Sequence, residues 1–319
     1  MRRFILQRVV SIIVTLWLLA TIVFAIVNVL PGNVGRKVLG PLAQQKDVDR
    51  LNHAVGADRP LIRQYFTSLR RMFTFDFGKT YKSGGKTPVM DIVLPALGRS
   101  AKLAVLAFVI TIPISIGAGL YAARRQDKFA DRAIVTTGLS TSAIPEFVTA
   151  TMLLAVFAYK LGWGKAFADP RKGTSFFGQF EYLILPALAM AIAYFGYIAR
   201  MTRSGVISAL QADYTRTAVM KGLTPRQVMW RHILRNALAP TIVVISTQVG
   251  YLIGGIIGVE KVFNYHGLGS TMLSAVNTHD IPILQASVLI VGVIYMVASL
   301  VADLLIAVLN PRVRLEGAR

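Results

Sequence analysis

The sequence predicts an all-helical membrane protein with six transmembrane helices and a small outer subdomain between the first and the second. Three observations carry this. Of 319 residues, 54% are hydrophobic and only 16% are charged, yet the formal net charge is +20. The apolar residues gather in six runs, long enough as helices to cross a hydrocarbon core that takes about 20 residues. The Lys and Arg gather in the short loops on one side of those runs. A soluble nucleic-acid binder with the same surplus would spread far more charge over its surface. With no Cys in the chain, disulfides, thiolate metal sites and cysteine nucleophiles are excluded.

The runs are 9–30, 101–122, 133–159, 183–199, 241–259 and 283–309. Spanning strands would be about 10 residues long and alternate apolar with polar; these runs are longer and do not alternate. The first follows Met1-Arg2-Arg3 and is too long for a secretory apolar region of about 7–15 residues; with no small-x-small cleavage site behind it, it is expected to be retained. The third contains Pro145 and Glu146, so it is either a kinked span or two shorter pieces. The fourth is the shortest and starts as early as Tyr182.

Cations set the orientation. With the N-terminus inside, the cytoplasmic pieces 1–8, 123–132, 200–240 and 310–319 hold 17 Lys and Arg in 69 residues. The outer pieces 31–100, 160–182 and 260–282 hold the same number in 116 residues. Both termini are therefore expected inside. The organisation is a cytoplasmic tip and first span (1–30), an extracytoplasmic subdomain (31–100) and a five-helix core (101–319). In the subdomain Leu61, Tyr65, Phe66, Leu69, Met72 and Phe73 recur near helical spacing, which predicts packed helix rather than loose loop. Gly84-Gly85-Lys86-Thr87 imitates the end of a phosphate-binding loop, but Thr80 stands where the first Gly of that motif belongs. No such motif occurs elsewhere, so the chain does not hydrolyse ATP by that chemistry.

Within the spans, Gly250, Gly254 and Gly258 share one helix face. Small residues at this spacing allow close helix packing, either inside the chain or against a second subunit. Lys102 lies at the edge of its span and can snorkel. Asp303 sits near the cytoplasmic end, within reach of Arg312 or Arg314, and reads as structural. Glu146 after Pro145 reads as a pathway residue or as a cap on the second half of a broken helix, the device by which transporters expose polar backbone at depth. The four His show no metal-ligand spacing.

The segment 200–240 is the most informative. Asp213 is placed to cap a short helix and Gly222 to end it in the left-handed conformation. Thr224 starts the next helix, with Pro225 at its first position and Gln227 completing a capping box. Val228, Met229, Ile233, Leu234 and Leu238 form one side of that helix, with Arg226, Arg231, His232 and Arg235 on the other. Helix, sharp turn, helix between two spans makes a stiff cytoplasmic lever suited to docking a soluble partner.

This segment resembles the coupling loop of the transmembrane subunits of ABC importers, Glu-Ala-Ala-x-x-x-Gly. Arg216-Thr217-Ala218 stand in its first three places and Gly222 in the last. The generic Pro thirteen places after that Gly is here Arg235, and the Pro comes at Pro240. Asp213-Tyr214, Arg216-Thr217-Ala218, Lys221-Gly222 and Arg235-Asn236-Ala237-Leu238-Ala239-Pro240 are similar to the peptide and nickel branch. The resemblance covers nearly the whole chain. It includes Leu30-Pro31-Gly32, Asp58-Arg59-Pro60-Leu61, Gln64-Tyr65, Asp76-Phe77-Gly78, Val262-Phe263, Gly267-Leu268-Gly269, Asp280-Ile281-Pro282, Asp303-Leu304-Leu305 and the stretch 309–314.

The resemblance implies a type I ABC importer permease fold in a bacterial inner membrane. It implies the first permease of a dipeptide or oligopeptide importer, paired with a homologous second permease. Two cytoplasmic ATPases would bind ATP and Mg, leaving this chain without a cofactor, and an extracytoplasmic binding protein would deliver peptide. Asp213, Thr217, Ala218, Gly222, Leu223, Thr224 and Pro225 would couple the ATPases to the spans through the 213–240 loop, and Pro145 and Glu146 would lie on the pathway. Nickel or another small solute of the same family is the alternative cargo. A stand-alone secondary transporter or a scaffold are the rival classes, and neither calls for a docking lever. The sequence carries no pocket signature that separates peptides from nickel chelates or glutathione.

Overall fold

The computed structural model describes residues 2–28, 33–81, 87–170, 174 and 176–309. Among them no strand forms; one isolated antiparallel bridge joins Lys79 and Pro88. Five helices are long and apolar enough to cross a membrane, and six when one broken pair counts as a single span. The chain divides into two compact units.

One unit comprises Ile5–Arg99 and His266–Ile294. It contains α1 (Arg2–Asn28), three short helices α2 (Val34–Leu39), α3 (Gln45–Val55) and α4 (Leu61–Thr74), and the first part of α5 (Val89–Arg124). It is completed by α12 (Leu268–Asn277) and the first half of α13 (Ile281–Leu309). Its core joins Ala20 of α1 and Met72 of α4 to Val89, Val93, Ala286 and Leu289. Of the expected anchors on α4, Met72 is buried and Tyr65 and Leu69 are half-buried. These lie at i, i+4 and i+7 on one face. Phe66 and Phe73 fall outside that stripe and are exposed, and Leu61, on the stripe but at the first position of the helix, is exposed too. Tyr65 holds α4 to α1 through a hydroxyl pair with Thr21 at 2.9 Å and an edge contact with the Phe24 ring. The buried Asp280 carboxylate accepts from the Thr80 hydroxyl. Burial beside Asp280 pushes the Tyr81 hydroxyl up to about 12. The expected boundary at 100 coincides with this division, which falls between Arg99 and Ser100; the one at 30 does not, since the first span and the stretch between spans five and six share a core with the outer segment.

The other unit is built on Ser100–Tyr265 with the described residues from Tyr295 onward. Its helices are the rest of α5, α6 (Phe129–Ala143), α7 (Glu146–Leu153), α8 (Phe176–Gln211), α9 (Asp213–Met220), α10 (Pro225–Gln227), α11 (Leu234–Val262) and the end of α13. A π-helical stretch Leu154–Lys160 prolongs α7. A second one, Val228–Ile233, joins α10 to α11. The fourth run, expected to be the shortest, lies inside a 36-residue helix, because hydropathy stops at Arg200 while the helical backbone runs on to Gln211. At its centre Ala187, Ala189, Met190, Ala193, Tyr194 and Ile198 of α8 are buried among Leu103, Ile256 and Val259. The small residues let backbones touch. A Cβ on Gly196 would overlap the Gly138 carbonyl of α6, and one on Gly205 would overlap the Ala237 carbonyl of α11.

The third run is broken. Ile144 is extended (ψ 125°), as a residue before proline prefers, and α6 and the α7 segment meet at 99°. Pro145 is the N-cap of α7 and Glu146 its first residue, with no side-chain cap bond. Gly250 and Gly258 lie against neighbouring helices of the same unit: Cβ atoms there would fall 2.8 Å from Tyr295 and 2.9 Å from Phe147. The surroundings of Gly254 lie outside the described residues. Asp303 is half-buried in α13; Arg312 and Arg314 also lie outside them, as do Leu30-Pro31-Gly32 and Gly84-Gly85-Lys86.

Candidate functional site

The segment 213–225 forms helix, turn and helix. The N-cap of α9 is Ala212, without a side-chain bond, so Asp213 does not cap but occupies the first helical position. There its carboxylate faces the positive end of the helix, while its carbonyl accepts the Thr217 hydroxyl at 3.0 Å. Thr215 and Ala218 are buried, and the Thr215 hydroxyl donates to the Ala209 carbonyl at 2.6 Å. This ties α9 to the end of α8. Gly222 adopts φ +76°. Its N–H donates to the Val219 carbonyl at 2.9 Å, and that of Leu223 to Ala218 at 3.4 Å.

Thr224 then opens the next helix through a complete capping box. Its hydroxyl accepts from the Gln227 N–H at 3.4 Å, and the Gln227 side chain accepts from the Thr224 N–H at 2.9 Å. Pro225 takes the first position. Buried Val228 and Met229 are followed five residues later by buried Ile233 and Leu234. A five-residue repeat cannot hold one face of an α-helix, and the i→i+5 turn at Val228–Ile233 accommodates it. These four pack on Val206, Ala209 and Ala218. One side of the unit is therefore anchored, and Asp213, Thr217, Gly222, Thr224 and Pro225 are exposed on the other, with Leu223 half-buried.

Sequence reasoning missed the apolar part of this surface. Val219, Met220 and Trp230 are 58%, 72% and 64% exposed. The signal was apolar residues out of phase with the buried face, in a segment otherwise rich in cations. It also missed the brace beneath. Arg203 of α8 grips Asp131 of α6 with two parallel bonds of 2.5 and 2.6 Å; the Asp131 side chain is only 3% exposed. Glu260 was missed as well. It falls one residue past the apolar run, yet α11 continues to Val262 and Glu260 is fully buried, accepting from the Ser100 hydroxyl.

The second feature is a cavity of about 570 Å³ at the break of the third run. Pro145 and Glu146 line it together with Tyr194 and Tyr197 of α8 and Gln248 and Tyr251 of α11. The two expected pathway residues are thus side by side in one concavity, with the Gly258–Phe147 contact on the helix that starts there. Asp303 is not among its lining residues. An adjoining cavity of about 290 Å³ shares Ser142, Ala143 and Tyr197 with the first and reaches Arg200. The Arg200 guanidinium lies 6.0 Å from the centre of the Tyr197 ring.

Two family models match the chain. Residues 115–315 match the model described as binding-protein-dependent transport system inner membrane component, and residues 1–111 match its N-terminal counterpart. Among curated proteins, the chain is 32% identical to the glutathione transport system permease protein GsiC of Escherichia coli strain K12 over 314 residues, which is 98% of this chain and 99% of the relative. The GsiC proteins of Shigella dysenteriae serotype 1 and Shigella boydii serotype 4 match with the same identity and coverage.

Proposed function

The chain belongs to the family of binding-protein-dependent transport system inner membrane components, and from that premise we propose that it is one of two permeases of an ATP-driven peptide importer. As a member it is a multi-pass membrane transport subunit and not an enzyme. That sets aside the stand-alone secondary transporter and the scaffold.

In the proposed complex a homologous second permease completes the pathway and two cytoplasmic ATPases bind ATP and Mg. An extracytoplasmic binding protein delivers the solute. Both termini face the cytoplasm. The observation that carries the coupling assignment is the surface of 213–225: a rigid turn, anchored on one side and exposed on the other. Closure of the ATPases would push this lever, and the Arg203–Asp131 brace would pass the push to α6. Peptide as cargo is supported by the branch-specific residues of the segment and by relatives named for glutathione, itself a short peptide.

The test is reconstitution with the partner subunits in proteoliposomes, scoring uptake and ATPase activity across dipeptides, longer peptides, glutathione and nickel chelates. Peptide-stimulated uptake coupled to hydrolysis is expected. Stimulation by nickel chelates alone overturns the peptide cargo, and full uptake without any ATPase subunit overturns the coupling.

A further inference from the structure

The two adjoining cavities carry opposite charges, Glu146 in the larger and Arg200 in the smaller. The larger holds Glu146, and no Lys, Arg or His is among its described lining residues. The α7 N-terminus gives this carboxylate a partial positive neighbour, but no full counter-charge. A carboxylate between apolar helices calls for one. Beside it the Tyr194 hydroxyl is buried without a hydrogen-bond partner among the described residues, in a side chain that is itself almost wholly buried. An unmet buried hydroxyl costs free energy, and Tyr194 is one of the residues that line the larger cavity. Tyr197 and Tyr251 add aromatic surfaces of the kind that attract ammonium groups. The smaller cavity ends at Arg200, and a guanidinium is suited to a carboxylate.

The spacing fits a short peptide. Tyr194 and Arg200 are six residues apart on α8, about 9 Å along the axis. An extended chain of two or three residues spans about 7–11 Å. Resting on the peptide-importer reading, we propose that the paired cavities form a transit site for short zwitterionic peptides. Glu146 and Tyr194 receive the amino-terminal ammonium, and Arg200 receives the terminal carboxylate. No bond is made or broken; the site gives a peptide that has left the binding protein a place to pause between the spans.

The experiment uses the complete importer in nanodiscs without binding protein, and saturation-transfer NMR with millimolar trialanine. Trialanine is expected to bind the parent. Glu146→Gln should weaken it about tenfold, the scale of one lost charged hydrogen bond, and Arg200→Gln should do likewise. N-acetyl-trialanine should bind the parent as weakly as trialanine binds Glu146→Gln, with no further loss in that variant. Trialanine amide should behave in the same way with Arg200→Gln. The near-isosteric variants are checked for assembly with the ATPases. Equal binding of trialanine and its blocked forms by the parent, undiminished binding in both variants, or no binding to the parent overturns the site. Comparable binding of an N-acetyl-lysyl peptide overturns the amino-terminus assignment in favour of any primary ammonium. If the importer with its binding protein takes up peptides while these results fail, the transit site alone is wrong. If it takes up none, the peptide cargo is wrong.

Discussion

Replacing Gly222 tests the lever at its narrowest point. Its φ of +76° is left-handed, and a Cβ there would meet nothing within 4 Å. A substitution therefore adds backbone strain without a clash. For Ala that strain is about 1–2 kcal/mol, a 5- to 30-fold shift in any equilibrium that needs the turn. Asn tolerates this region better and should cost less. Pro cannot take a positive φ, and it also removes the N–H that donates to Val219 at 2.9 Å. The expected order of peptide uptake per ATP hydrolysed in proteoliposomes is Gly, then Asn, then Ala, with Pro inactive. Membrane insertion and pairing with the second permease, followed by co-purification, should remain at parent level in all three variants. Parent-rate uptake by Gly222→Pro refutes the coupling role. An equal loss in Asn, Ala and Pro refutes the strain argument, since only a side-chain contact would level them.

Three further outcomes follow from the same unit-by-unit geometry. Asp131→Asn leaves Arg203 without its bidentate partner; because Arg203 is 24% exposed and can be hydrated, the loss is that of a charged hydrogen bond, about 1.5–3 kcal/mol, so thermal unfolding should shift down, and the Asp131→Leu, Arg203→Met double variant should recover part of the loss. Gly196→Leu drives a side chain into the Gly138 carbonyl and should abolish a stable fold, while Gly98→Ala, inside a helix with open space around it, should hold or slightly raise the melting temperature. Tyr81 keeps its proton to about 12 against an ordinary value of 10.0; the native state holds that proton longer than the unfolded chain, so stability falls as pH rises from 10 to 12. Tyr81→Phe should flatten that slope in an alkaline denaturation series.

The spans were legible because the membrane imposes one rule on every residue of a run. Six apolar runs gave five continuous helices and one broken pair, and Pro145 marked the break. The lever was legible for a similar reason. Gly222, Thr224, Pro225 and Gln227 act within a few residues of themselves, and their turn and capping box depend on no distant partner. Asp213 shows the margin of such reasoning: the neighbouring Ala212 became the N-cap. The outward face of α4 was not legible, because apolar spacing marks a helix without saying which of Tyr65 and Phe66 meets α1. Nor was the burial of Glu260, since hydropathy ended at Val259 while the helix ran on.

Sequence alone determined what this protein is. Its apolar runs, its cation asymmetry and one punctuated segment of helix, turn and helix specify a multi-pass membrane permease. All of these are local or one-dimensional signals, set by solvent and by backbone conformation. The tertiary structure decided which side chains meet. Arg203 with Asp131, Thr80 with Asp280, and Glu146 with Tyr194 around one cavity join residues 48 to 200 positions apart. Such pairings are chosen by helix packing, where a Gly or Ala at the crossing admits a neighbour's backbone, and no periodicity along the chain records which neighbour that is.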